Sequence, residues 1–192
     1  QAILFNPTEE LIFLGVSLFG EAIRIYAVGY APKNTSGRNT AAGQIADEMN
    51  TTGIYSLVRH PLYMGNFFMW LGPVLFVRTP VFIVFFILVY WIYYERIMFA
   101  EEQFLRSKFG GAYDKYSEKV KAVIPYLRGF VKPALPFSLK SVLRREYNSF
   151  VNIFIIFVLL DLFRNYFLSE RIYLTPMWIY IGAPAGLIWV MI

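Results

Sequence analysis

The chain has 192 residues, 57% of them hydrophobic, and a mean hydropathy of +0.49, against about 45–50% apolar residues in an ordinary soluble domain. Cysteine is absent, which excludes disulfides, thiolate metal sites and cysteine nucleophiles. The formal charge of +5 does not indicate nucleic-acid binding, because eleven of the eighteen Lys and Arg residues fall between Arg96 and Arg145, a polar stretch flanked by apolar runs. That is the pattern of a positive-inside loop beside an anionic leaflet.

Residues 11–31 form the first apolar run, long enough to cross about 30 Å of hydrocarbon as a helix. Glu21 and Arg24 interrupt it at i,i+3 spacing, and Pro32 ends it. Each such intramembrane pair is open to two readings, mutual neutralisation or a polar cavity. Gln1 stands where a start methionine would be, so we expect an upstream segment, and no signal-peptide pattern is visible. Residues 33–59 are polar and turn-rich, with Ser36-Gly37, Asn39 and Gly43 marking irregular structure.

Residues 63–77 and 81–94 are apolar and separated by Arg78-Thr79-Pro80, which predicts a helical hairpin over 62–98. Gly65, Gly72 and Pro73 favour close helix approach or a kink. Residues 95–123 are charged and helix-prone, interrupted at Gly110-Gly111. Beyond them Tyr113, Tyr116, Val120 and Val123 make an amphipathic stripe. Pro125, Pro133 and Pro136 break up a connector over 127–148. A second hairpin is expected over 149–192, with Asp161 and Arg164 again at i,i+3 inside it. The whole reads as an all-α, polytopic membrane helix bundle. A core over 1–148 comprises a helix at 10–31, the hairpin 62–98, a segment 99–126 and the connector, and the C-terminal hairpin is added to it. The clustered basic residues put segment 99–126 and the loop 33–59 on the cytoplasmic side.

Two stretches on that side carry chemistry. Arg59-His60-Pro61-Leu62-Tyr63 holds the single histidine, and Pro61 suits the first turn of a helix whose free N–H groups favour an anion. Glu101-Glu102 follows the hairpin's return arm, and the hairpin brings the two stretches together. From the residues alone, Arg59 to Tyr63 reads first as an interfacial anchor and Glu101-Glu102 as a solvated charge face, and only second as a site. One histidine and no cysteine do not make a zinc site, and no metal is expected. Gly-x-Ser-x-Gly, Walker and Gly-x-Gly-x-x-Gly motifs are absent.

Gly53-Ile54-Tyr55 followed by Arg59-His60-Pro61-Leu62-Tyr63-Met64-Gly65 resembles the Gly-x-Tyr…Arg-His-Pro-x-Tyr-x-Gly signature of the isoprenylcysteine carboxyl methyltransferase and phospholipid methyltransferase superfamily. Glu101-Glu102-Gln103-Phe104-Leu105, Phe109-Gly110, Tyr113, Tyr116 and Ile124-Pro125 resemble its second block. The resemblance covers about residues 10–126. It implies an S-adenosylmethionine cofactor in a cytoplasm-facing pocket and a lipidic acceptor entering from the bilayer. By the same resemblance the cofactor contacts are Asp47, Glu48, Met49, Asn50, Tyr55, His60, Pro61, Leu62, Tyr63 and Glu101. In the prenylcysteine enzymes an arginine about one turn before the first Glu recognises the acceptor; here that position is Ile97 and the nearest arginine is Arg96. Arg59 and Arg96 are therefore candidates for acceptor recognition, and Glu102 for the base that an amine acceptor would need. The alternatives are a membrane reductase of the sterol-reductase type, using NADPH, and a non-catalytic membrane lipid-binding protein.

Overall fold

The computed structural model describes residues 5–32, 39–40, 43–44 and 46–191. The part of the expected loop that contains Ser36-Gly37 lies outside the described residues. Among the described residues six α-helices follow one another: α1 (Pro7–Gly29), α2 (Pro61–Phe76), α3 (Pro80–Phe109), α4 (Gly111–Lys119), α5 (Leu139–Ser169) and α6 (Pro176–Met191). A two-residue antiparallel pair, Asn39–Thr40 with Gly43–Gln44, lies between α1 and α2. Three of the helices, α1, α3 and α5, are long and apolar enough to cross a membrane. Much of their apolar surface faces outward: Phe82, Phe85, Leu88 and Ile92 of α3 are exposed. In water such a face would be unstable, whereas in hydrocarbon it is in its own solvent.

Local chemistry sets the helix ends. Asn6 caps α1, its Oδ1 accepting from the Glu9 amide at 3.3 Å, with Pro7 in the first turn. Gly110, at φ 52°, ends α3, and its amide donates to the Arg106 carbonyl at 2.8 Å. Ser138 caps α5, accepting from the Ser141 amide.

Two boundaries differ from the expectation. The return arm of the first hairpin does not stop at 98 but continues to Phe109, because residues 95–109 contain no helix breaker before Gly110. The connector is also shorter than 127–148: α5 begins at Leu139, so the expected division at 148 falls inside a helix. The charged stretch after Ser138 is helix-competent and runs directly into the apolar one.

Helices α1 and α2 pack backbone to backbone. A Cβ on Gly20 would lie 2.4 Å from the Gly65 carbonyl oxygen, and one on Gly72 would lie 2.4 Å from that of Phe13. Pro73 lacks the N–H that would serve the Met69 carbonyl, and Ser17 Oγ of α1 donates to that carbonyl instead, at 2.9 Å.

At the opposite end of the bundle from the Arg59 stretch, a core of Leu14, Phe76, Phe154, Phe157 and Trp178 joins α1, α2, α5 and α6. Beside it Arg164 bonds both Glu10 and Asp161, all three nearly fully buried. Trp178 Nε1 donates to Glu10 at 2.8 Å, and Thr175 donates to Asp161 through its amide and its hydroxyl, both at 2.7 Å. Of the two readings of Asp161 and Arg164, mutual neutralisation is what the bundle contains, extended by Glu10 from a distant helix.

Candidate functional site

The C-terminal end of α1, the start of α2, the end of α3, helix α4 and the start of α5 meet at one end of the bundle. The chain from Gly53 enters this end through a 3-10 turn, Ile54–Ser56, and is tied on both sides. The Gly53 amide donates to the Val131 carbonyl at 2.9 Å, that of Arg59 to Lys121 at 2.9 Å, and that of His60 to Ala122 at 3.0 Å. The approach to Pro61 is thus held by the segment after α4 rather than left as a free loop.

Arg59 joins three elements. Its Nε and Nη2 donate to Glu102 Oε1 at 3.0 and 2.8 Å, and its Nη1 donates to the carbonyls of Ser117 and Val120 at 2.9 and 2.6 Å. The same Glu102 oxygen lies 2.9 Å from His60 Nε2. The other ring nitrogen of His60 lies 3.7 Å from Glu101 Oε2. The remaining oxygen of Glu101 accepts from the Tyr63 hydroxyl at 2.6 Å. The rings of His60 and Tyr63 stack with their centres 5.6 Å apart. His60 and Glu101 are each 8% exposed, so these charges and dipoles act in a largely dry environment, where each interaction is stronger than in water.

These residues wall a cavity of about 490 Å³. Of the residues singled out in the sequence, Met49, Asn50, Tyr55, Arg59, His60, Pro61, Leu62, Tyr63 and Glu101 line it. Asp47 and Glu48 do not line it and are exposed, and Glu102 stands behind the wall, holding Arg59 and His60. Arg96 is exposed on α3 and does not line the cavity. It lies five residues before Glu101, which on a helix turns it about 140° away. Tyr116 adds another wall, its hydroxyl donating to the Tyr55 carbonyl at 2.7 Å. Burial, reinforced by the nearby Glu101 carboxylate, pushes the Tyr55 phenol above its ordinary value, so it remains a neutral donor.

Four charged residues of the lining are not among the site residues expected from the sequence: Arg24, Arg144, Arg145 and Glu146. Arg24 does not pair with Glu21. Its Nε and Nη2 donate to the two oxygens of Glu146 at 2.7 and 2.9 Å, and its Nη1 donates to Asn66 at 2.5 Å. Glu21, 1% exposed, has no hydrogen-bond partner for either oxygen among the described residues. An arginine inside an apolar helix was the only local signal of this part of the site.

A second, almost wholly apolar groove of about 390 Å³ adjoins the first. Phe19, Phe67, Phe68, Tyr90, Trp91 and Met98 line it, and Tyr63 belongs to both spaces. Next to Tyr63, the Asn66 amide donates to the Tyr94 hydroxyl at 3.1 Å, and the Tyr90 hydroxyl donates to the Tyr63 carbonyl at 2.6 Å. The two spaces therefore meet at a hydrogen-bonded aromatic wall built around Tyr63.

A family model described as phospholipid methyltransferase matches residues 11–112. The chain is also similar to a probable protein-S-isoprenylcysteine O-methyltransferase of Oryza sativa subsp. indica, 32% identical over 133 residues that cover 66% of this chain and 69% of that protein. The protein-S-isoprenylcysteine O-methyltransferase of Schizosaccharomyces pombe is 35% identical over 116 residues, 59% of this chain and 48% of its own. That of Saccharomyces cerevisiae is 37% identical over 76 residues, 40% of this chain and 32% of its own. The matched stretch of the family model holds the Arg59–Tyr63 and Glu101-Glu102 segments and ends before α5.

Proposed function

The chain belongs to the phospholipid methyltransferase family, and from that premise we propose that this integral membrane methyltransferase moves a methyl group from S-adenosylmethionine to a lipidic acceptor of the isoprenylcysteine or phospholipid kind. The observation that carries the reading is the junction at Tyr63 of a polar cavity with an apolar groove. The methyl donor is polar and the acceptor is a lipid, and the reaction needs both in contact while water is kept out.

The residues of the cavity suit the donor. Tyr55, Tyr116 and the His60–Tyr63 stack offer aromatic walls to a purine. Glu101 Oε2, 3.7 Å from His60 Nδ1, can accept from ribose hydroxyls or face a positive charge. When bound, S-adenosylmethionine supplies a methyl group carried on a sulfonium. Glu102 fixes His60 from behind, and Arg59 fixes Glu102, so both are positioning residues in this reading. If the acceptor is an amine, the His60–Glu101 pair is the nearer proton acceptor. Arg96 stands apart from both spaces, and we assign it no part in acceptor recognition. The site end carries the dense basic segment and so faces the cytoplasm.

Calorimetric titration of the detergent-solubilised protein with S-adenosylhomocysteine and with NADPH tests the reading. S-adenosylhomocysteine should bind and NADPH should not. His60→Ala and Glu101→Ala should each weaken binding about tenfold or more while the protein stays folded. Binding of NADPH alone would overturn the proposal.

A further inference from the structure

The cavity is lined by four arginines and two glutamates, and most of these charges have partners. Glu146, 2% exposed, uses both carboxylate oxygens on Arg24. Arg59 is held by Glu102. Glu101 accepts from Tyr63 and faces His60. Arg144 and Arg145, in the first turns of α5 immediately before Glu146, line the cavity, are exposed, and form no ion pair among the described residues. Their helix start is fixed in place: the Ser138 amide donates to the Gly29 carbonyl at the end of α1 at 2.8 Å, and Phe137 packs edge-on against Tyr30 at 5.2 Å. The bidentate Arg24–Glu146 pair fixes it a second time. Two guanidinium groups with no ion-pair partner among the described residues are thus carried to the cavity wall on a braced helix.

We propose that Arg144 and Arg145 form an anion subsite of this cavity, taking the carboxylate at the amino-acid end of the methyl donor. The inference rests on the methyltransferase reading of the cavity. Neither arginine lines the apolar groove where a lipid would lie, whereas both line the cavity that holds Tyr55, His60 and Glu101. A planar guanidinium meets a carboxylate through two parallel N–H bonds, which makes arginine the suitable partner for that end of the ligand. The subsite comes from α5, beyond the stretch that the family model matches. The C-terminal hairpin is thereby part of the donor site, not an appendage to it.

The test compares two ligands that share a nucleoside and a thioether but differ in the amino-acid end: S-adenosylhomocysteine, which has the carboxylate, and 5′-methylthioadenosine, which lacks it. Binding of each to the whole protein in detergent is measured by calorimetry, for wild type and for the double variant Arg144→Gln/Arg145→Gln. The expected result is a loss of about tenfold or more for S-adenosylhomocysteine, with 5′-methylthioadenosine unchanged. The Arg144→Lys/Arg145→Lys variant should recover part of that loss, since it keeps the charge without the fork. Unchanged binding of both ligands, or an equal loss for both, overturns the subsite while leaving the methyltransferase reading in place. A wild type that binds neither ligand overturns the methyltransferase reading, and the subsite with it.

Discussion

Arg59 shows how much one side chain does at this site. It serves a carboxylate and two carbonyls that belong to α3, to α4 and to the end of α4, while its own backbone is held by Lys121. An ammonium is a single point on a flexible stem and cannot reach all three acceptors at once. Arg59→Lys should therefore destabilise the protein by about 1–3 kcal/mol despite keeping its charge. Thermal unfolding in detergent reads this directly, and an unchanged midpoint would mean that the four bonds contribute nothing. Glu21 is the opposite case. A buried carboxylate with no hydrogen-bond partner costs free energy, and Arg24 is already satisfied by Glu146. Glu21→Gln should leave the unfolding midpoint unchanged or raise it. A clear drop would show that Glu21 has a role that its contacts do not reveal.

At the scale of elements, the α1–α2 seam explains why this pair forms the bundle's frame. In lipid, helices gain nothing from hiding apolar surface from water, so association depends on close packing and on satisfied polar groups. Gly20 supplies the first and the Ser17–Met69 bond the second. Gly20→Ala should force the helices apart, because the added carbon would meet backbone atoms of α2 at 2.4 and 2.5 Å. Gly15→Ala on the same helix meets nothing within 4 Å and should be neutral or slightly stabilising, by about 0.5–1 kcal/mol of helix propensity. The contrast in unfolding midpoint between these two variants measures the seam itself.

The same seam shows what was legible beforehand. Gly65, Gly72 and Pro73 announce a close or kinked helix, and hydrophobic runs with their polar breaks announce the hairpins, because both signals are local. Arg59–Tyr63 and Glu101-Glu102 stand out because each is a short linear pattern. The pairing of Arg24 with Glu146 spans 122 positions, and that of Arg164 with Glu10 spans 154. No period in the chain encodes such a partner. It is set by which face of α5 packs on α1, and a charge at i,i+3 offers a false local answer for Arg24. Arg96 failed to join the cavity for a similar reason, since proximity along a helix is not proximity around it.

For the molecule as a whole, the Glu10–Arg164–Asp161 network decides whether α5 and α6 stay docked. Two acids and one base are buried together, with Trp178 and Thr175 completing the acceptors. Removing one member leaves the others charged in a medium that cannot solvate them, which costs about 3–5 kcal/mol. Arg164→Ala should therefore destabilise strongly. Adding Glu10→Gln and Asp161→Asn removes the stranded charges and should restore much of the loss, so the triple variant unfolds at a higher temperature than the single one. A triple variant less stable than Arg164→Ala would show that hydrogen bonding, not charge, holds the network. The network lies at the opposite end of α5 from Glu146, and the helix is continuous between them. Undocking at Arg164 should thus loosen the Glu146 clamp on Arg24, so S-adenosylhomocysteine affinity should fall in Arg164→Ala and recover in the triple variant. Affinity that stays at the wild-type level while the midpoint drops would show that the two ends of the bundle are energetically separate.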